Sequence, residues 1–205
     1  MYIPHSYKNE ELSEVKDFIK NNSFGILVSQ VEGLPWATHI PLELDTNADG
    51  KEVLVSHISK ANPQWKSFKD QHKVLCIFNG PHSYISSSWY REEEVPTWNY
   101  IAVHVYGTIK ILEEDDVLAS LHKLVDKYEA SSKKPIKIDQ LSKKTMRQIK
   151  GVVGFSIEIE EIQAAYKLSQ GREHDHPRII KELNESATVN SQALADVMKS
   201  NSKND

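Results

Sequence analysis

Ile101, Val103, Val105, Ile109 and Ile111 alternate with His104, Tyr106, Thr108 and Lys110. That period of two over eleven residues predicts a strand with one face on a core. Shorter apolar runs predict strands over Phe24–Ser29, Trp36–Leu44, Val53–Ile58, Val74–Asn79 and Val153–Ile159. Glu32-Gly33, Asn47 to Gly50 and Gly80-Pro81 interrupt them as turns or breaks. Helical spacing takes over elsewhere. Asn9 is placed to cap a helix reaching Lys20, with Leu12, Val15, Phe18 and Ile19 as its stripe. Leu118, Leu121, Val125 and Tyr128 are in register over 113–128, and a further helix is expected from Asp139 to before Gly151. The tail carries two short patterns, Pro177–Leu183 and Ser191–Met198, and is expected to fray over 201–205. Asn62-Pro63 reads as a cap with proline at the first position of a short helix bearing Trp65 and Phe68.

The strands do not alternate regularly with long helices, which argues against a doubly wound parallel sheet. An α+β, mainly β chain built on a small antiparallel barrel with peripheral helices fits better. A net charge of −4 over 205 residues gives the whole chain no electrostatic footprint of a nucleic-acid binder. Cys76 is the single cysteine, so no intrachain disulfide exists, and its apolar neighbours predict a buried thiol. No apolar run approaches the length needed to span a bilayer, and Met1 to His5 lacks the pattern of a signal peptide. The expectation is a cytoplasmic protein with no membrane partner.

Four segments carry candidate chemistry. Val95-Pro96-Thr97-Trp98-Asn99-Tyr100 places two large flat side chains and an amide where a plain turn would need neither; it reads as a wall for a flat polar ligand or as core filling. Ser56-His57-Ile58-Ser59-Lys60-Ala61-Asn62-Pro63 gathers hydroxyls, an imidazole, an ammonium and helix-start amides, the donors a phosphate dianion wants. Thr38 and His39 precede Pro41, which lacks a ladder donor, so this stretch belongs at an edge, a bulge or a ligand. Lys167 to Arg172 pairs two cations with hydrogen-bonding side chains, and a solvated turn is its default reading. His174-Asp175-His176 has metal-ligand types but no further ligand at characteristic spacing, so no metal site is assigned. No phosphate-loop, zincin or nucleophile-elbow motif is present and no acid–base pair stands out, so no catalytic residue is assigned. Any hard chemistry would belong to a cofactor.

Several of these segments together resemble the PaiB family, FMN-binding proteins described as negative transcriptional regulators. The matching stretches are Met1 to Pro4, Pro35 to Pro41, His57 to Trp65, Gly80 to Ser86, Trp89-Tyr90, Val95 to Tyr100 and Lys167 to Gln170. Gly171 stands where the family usually has asparagine, and Ser87 where proline is common. The resemblance implies an FMN-binding split β-barrel over 1–172 with a helical insertion around 113–150 and a helical appendage over 173–205. It further implies a homodimer with flavin sites at the subunit interface. The flavin phosphate maps onto Thr38, His39, Ser56, His57, Ser59, Lys60 and Asn62, and the ring wall onto Trp98, Asn99 and Tyr100.

Four functions compete at this point. They are a flavin-binding negative transcriptional regulator, a flavin-dependent oxidoreductase of a small molecule, a regulator without flavin acting on DNA or a protein partner, and a haem-binding split barrel. Whether the chain is an enzyme stays open. Direct DNA reading gains no support from charge or motif.

Overall fold

The computed structural model describes residues 1–68 and 72–201. Within them, seven strands form one sheet in the order β2-β1-β5-β6-β7-β4-β3. They are β1 (Phe24–Val31), β2 (Leu34–Pro41), β3 (Glu43–Thr46), β4 (Glu52–Ser59), β5 (Lys73–Ile85), β6 (Thr97–Ile111) and β7 (Val152–Lys167). The helices are α1 (Leu12–Asn21), α2 (Glu114–Glu129), α3 (Lys143–Met146), α4 (His176–Glu185) and α5 (Val189–Asn201). The sheet is open and mainly antiparallel, the split-barrel arrangement.

Three strands outrun their sequence signals. β5 continues through Gly80-Pro81, expected as a break, to Ile85. β6 starts at Thr97, so Trp98, Asn99 and Tyr100 lie inside it rather than before it. β7 extends to Lys167. The helix expected from Asp139 is instead a 3-10 turn (Ile138–Gln140), α3 capped by Ser142, and a second 3-10 turn (Arg147–Gly151). The segment after Asn62 is also a 3-10 turn, Pro63–Phe68. Of the tail expected to fray, residues 202–205 lie outside the described residues.

The chain divides into two compact units. One holds residues 16–78 and 105–162. Its core contains Leu27, Leu42, Leu54, Cys76, Phe78, Val105, Ile109, Phe155 and Ile157, all without solvent exposure. Phe68 meets Phe155 edge-on with ring centroids 5.2 Å apart, a favoured aromatic geometry. Gly107 is required by close approach: a Cβ there would sit 2.2 Å from the carbonyl oxygen of Glu158. Burial pushes the Cys76 thiol well above its usual range, which leaves it an inert core group. β2 begins as an exposed edge, with Leu34 69% and Trp36 38% exposed.

The other unit holds residues 1–15, 79–104 and 163–205. Its core joins Ile85, Ile101 and Val103 to Leu168, Ile179, Leu183, Leu194 and Met198. Residues 173–201 therefore bury their apolar stripes within this unit. Asp175, 2% exposed, accepts from the Arg91 backbone N–H at 3.1 Å and ties the start of α4 to the segment before β6. No helix among the described residues is long and apolar enough to cross a membrane.

Candidate functional site

β4 and the 3-10 turn after it position the predicted phosphate segment. β4 pairs with β7 through Ser56↔Phe155 and His57↔Gly154, and alternation sends Ser56 and His57 to opposite faces. The Lys60 backbone N–H donates to the carbonyl of Gly151 at 2.9 Å and closes the end of this ladder. Asn62 caps the turn as expected: its Oδ1 accepts from the Gln64 N–H at 3.0 Å.

The candidate donors separate into committed and spare groups. Ser56, 6% exposed, donates its hydroxyl to the carbonyl of Pro41. Asn62 Nδ2 donates to Thr38 Oγ1 at 2.9 Å, and Thr38 Oγ1 donates to Gln64 Oε1 at 2.5 Å. Thr38 and Asn62 are thus brought together, Ser56 is held separately against Pro41, and all three are engaged by protein partners. Ser59 Oγ accepts from the Ala61 N–H at 3.2 Å, and its own proton has no acceptor among the described residues. The Lys60 ammonium makes no ion pair or hydrogen bond among them, although the Lys60 carbonyl accepts from Trp65 Nε1 at 3.0 Å. His39 is exposed on β2, opposite Ile26 and on the other face from Thr38. Spare cation, spare hydroxyl proton and exposed imidazole are thus Lys60, Ser59 and His39.

Lys60 borders a recess of about 400 Å³ whose lining includes Trp65, Lys150, Val117 and Gly154. Lys150 has no partner among the described residues either, so two free ammoniums and one indole meet one free carboxylate, Glu114. That balance favours an anion carried on a flat or apolar body. Neither Trp65 nor Lys150 was assigned to the site from the sequence, because they lie far apart in it; Trp65 reads there as part of a short helix with Phe68. His57 lines a smaller cavity of about 180 Å³, facing Lys123 and Lys127 on α2. Those lysines are paired, with Asp45 and with Glu43 at 2.6 Å, so this cavity has little free charge. Burial lowers the His57 pKa below its usual value, which keeps the imidazole neutral.

Gln64 is the residue the sequence hid most completely. It has no solvent exposure, yet its Nε2 donates to Ser29 Oγ at 3.0 Å and lies 3.3 Å from the carbonyls of Leu27 and Trp36. It fixes the turn that carries Lys60 and Trp65. A polar residue after Asn-Pro gave no signal of burial.

The predicted ring wall is split by strand alternation. Asn99 points inward without exposure, whereas Trp98, 52% exposed, and Tyr100 share the opposite face. Asn99 Nδ2 donates to Ser169 Oγ at 2.8 Å, and its Oδ1 has no partner among the described residues. The segment 167–172 is a turn whose polar side chains are engaged within it and by Thr97 and Glu94. Lys167 donates to Thr97 Oγ1, Gln170 Oε1 accepts from the Leu168 N–H at 2.9 Å, and Arg172 pairs with Glu94. Gly171 has φ of 77°, a left-handed conformation that glycine and asparagine adopt most readily, so the exchange between them preserves the backbone. His174 and His176 contact Asp175 and the Ser169 carbonyl respectively.

Residues 1–161 match the family described as "Putative FMN-binding domain". The chain is 43% identical over 201 residues, 97% of each chain, to "Protease synthase and sporulation protein PAI 2" of Bacillus subtilis (strain 168). The chain belongs to the PaiB family. An uncharacterized protein of Saccharomyces cerevisiae is 30% identical over 138 residues, 56% of this chain and 81% of that one. Among solved structures, the flavocytochrome Anf3 from Azotobacter vinelandii aligns with a TM-score of 0.60 at 17% identity, covering 79% of this chain and 70% of that one. The FAD and heme binding protein from Mycobacterium smegmatis gives 0.59 at 14%, covering 78% and 73%. At these identities the PaiB-family chain shares their fold. The match to the FMN-binding domain supports flavin binding by this PaiB-type protein.

Proposed function

We propose that this chain is a cytoplasmic, homodimeric regulatory protein that binds FMN and represses transcription according to the state of the flavin. The observation that carries the FMN assignment is the Lys60 ammonium at the end of β4, without a partner among the described residues, beside the Ser59 hydroxyl and the recess shared with Lys150. These groups fit a phosphate dianion. Lys60 would supply charge and Ser59 a hydrogen bond, whereas His39 lies on the face of β2 opposite Thr38 and is not brought beside them. Thr38, Ser56 and Asn62 act at one remove, by fixing β2, β4 and the turn. The bound flavin would supply reversible electron-transfer chemistry. The resemblance assigns the ring wall to Trp98, Asn99 and Tyr100; the inward Asn99 limits direct contact to Trp98 and Tyr100.

Homodimer formation is supported by the apolar groups left open on β1 and β2. Phe24 is 67% exposed, and Leu34 and Trp36 continue the exposed edge of β2. A second copy covering that edge in an isologous contact would remove both unpaired backbone groups and apolar surface from water. Light scattering showing only a 23.4 kDa species at micromolar concentration overturns this part.

Titration of FMN and riboflavin against the wild type and Lys60→Ala tests the cofactor assignment. One charge-assisted contact is worth roughly 1.5–3 kcal/mol, so FMN should weaken about ten- to a hundredfold while riboflavin is unchanged. Unaltered FMN affinity would leave Lys60 as a surface lysine and remove the proposed phosphate site.

A further inference from the structure

The unit that holds α4 and α5 contains a second cleft, of about 650 Å³, which is lined by Trp98 of the proposed ring wall but by none of the phosphate donors. Its aromatic side comes from the end of β5 and the start of β6. The Trp98 ring lies 5.6 Å from His82 and 6.4 Å from Tyr84, centroid to centroid. Trp89, on the 3-10 turn Ser87–Trp89, adds another indole. The opposite side is α4, which presents Glu182 and Glu185. The two sides are tied together. Asn190 Oδ1 accepts from the His82 backbone N–H at 3.3 Å, and Asn190 Nδ2 faces His82 Nε2 at 3.1 Å. Ser83 and Ser191 hydroxyls meet at 2.9 Å.

The charges in this cleft are one-sided. Glu185 holds only a loose, solvent-exposed pair with Lys181 at 3.8 Å. Glu182 is half-buried and has no ion pair or hydrogen bond among the described residues. No lysine or arginine is among the cleft's lining residues. The contact between Asn190 Nδ2 and His82 Nε2 holds the imidazole edge against α5 and leaves its ring beside Trp98. A carboxylate without a counterion beside electron-rich ring faces attracts a cation twice over, through Coulomb attraction and through the ring quadrupoles. The rings also cover an apolar stem. An anion such as a flavin phosphate meets the wrong charge here.

We propose that this cleft binds an organic cation, an ammonium group carried on a short apolar stem, held between Trp98 and Glu182. The inference does not rest on the flavin reading: it shares Trp98 with the proposed ring wall and competes with the ring for it, but every residue it uses belongs to one unit and none is a phosphate donor.

Choline and its neutral carbon isostere 3,3-dimethylbutan-1-ol, titrated into the full chain, separate charge recognition from apolar fit. Binding is followed by the indole N–H signals in the NMR spectrum. Choline should shift the Trp98 and Trp89 signals saturably and leave Trp36 and Trp65 in place. The neutral isostere should bind at least several-fold more weakly. Glu182→Gln and Trp98→Leu should each weaken choline by roughly three- to thirtyfold. Glu182→Gln sits on the cleft face of α4, so an unchanged spectrum outside the cleft shows that it folds. Absence of a saturable shift at tens of millimolar choline overturns the proposal, as does equal binding of the isostere or an unaltered affinity in Glu182→Gln. Displacement of choline by riboflavin would also overturn it and return Trp98 to the flavin. Loss of FMN binding in Lys60→Ala leaves this result untouched, so the two assignments fail separately.

Discussion

Gln64 and Asn99 are both amides with no solvent exposure, one in each compact unit, and they are treated differently by their surroundings. Gln64 uses its carbonyl oxygen on Thr38 and its nitrogen on Ser29, with the carbonyls of Leu27 and Trp36 close by. Asn99 uses only its nitrogen, on Ser169 with Met198 Sδ at 3.9 Å, and leaves Oδ1 without a described partner. A buried amide that is fully engaged organises structure, whereas a half-engaged one is a defect or a site awaiting a partner. The same distinction sorts the phosphate segment. Thr38, Ser56 and Asn62 are engaged, and Ser59 and Lys60 are not.

The largest effect should come from breaking the engaged amide. Gln64→Leu leaves the Thr38 hydroxyl and Ser29 without their buried partner and puts an alkyl group against two carbonyls. Urea denaturation should show a loss of about 2–4 kcal/mol, since each stranded buried group costs about 1–3 kcal/mol. Asn99→Leu should cost less, about 1 kcal/mol, because it removes an acceptor that is already unpaired along with one useful hydrogen bond. Equal losses for the two variants would mean that Asn99 Oδ1 has a partner, such as a bound water, and would erase the contrast.

The smallest effect concerns pH. Burial depresses the His57 pKa in the folded chain below the ordinary histidine value of 6.5. The unfolded chain therefore takes up a proton near that value while the folded chain resists it. Stability from this group is complete above the unfolded pKa and is lost as pH falls through the folded one. His104 is depressed in the same direction, by burial first and by the N-terminal ammonium second. His57→Asn should flatten, but not abolish, the decline in stability between about pH 7 and 5, read from urea midpoints. An unaltered slope would show that His57 titrates as if exposed.

Much of the fold was legible from particular residues. The alternation along Ile101 to Ile111 is the inward and outward pattern of β6, because a strand half in a core must repeat every two residues. Asn62 before Pro63 did mark a cap. Other segments were not legible. Gly80-Pro81 carries strong break signals, yet β5 runs through it. Local propensity is a weak term beside the ladder and packing that neighbouring strands supply. The helix expected after Asp139 shortened to turns, with Ser142 rather than Asp139 capping α3. Gly171 looked like a departure from the family signature, and only its φ of 77° shows why the exchange is mild.

The candidate site divides along the same line. The sequence by itself determined the chemical inventory: the hydroxyls, ammonium and imidazole of Ser56 to Asn62, the aromatic pair Trp98 and Tyr100, and the family to which they belong. Spacing along one strand also determined which of them could share a face. Only the tertiary structure decided which donors are already spent. That depends on Pro41, Gln64 and Ser29, which come from other elements and are set by packing rather than by distance along the chain. It likewise brought Lys150 and Trp65 to the recess beside Lys60, and Glu182 to the cleft beneath Trp98. A hydrogen bond or an uncompensated charge is a property of a neighbourhood, and a neighbourhood exists only once the chain has folded.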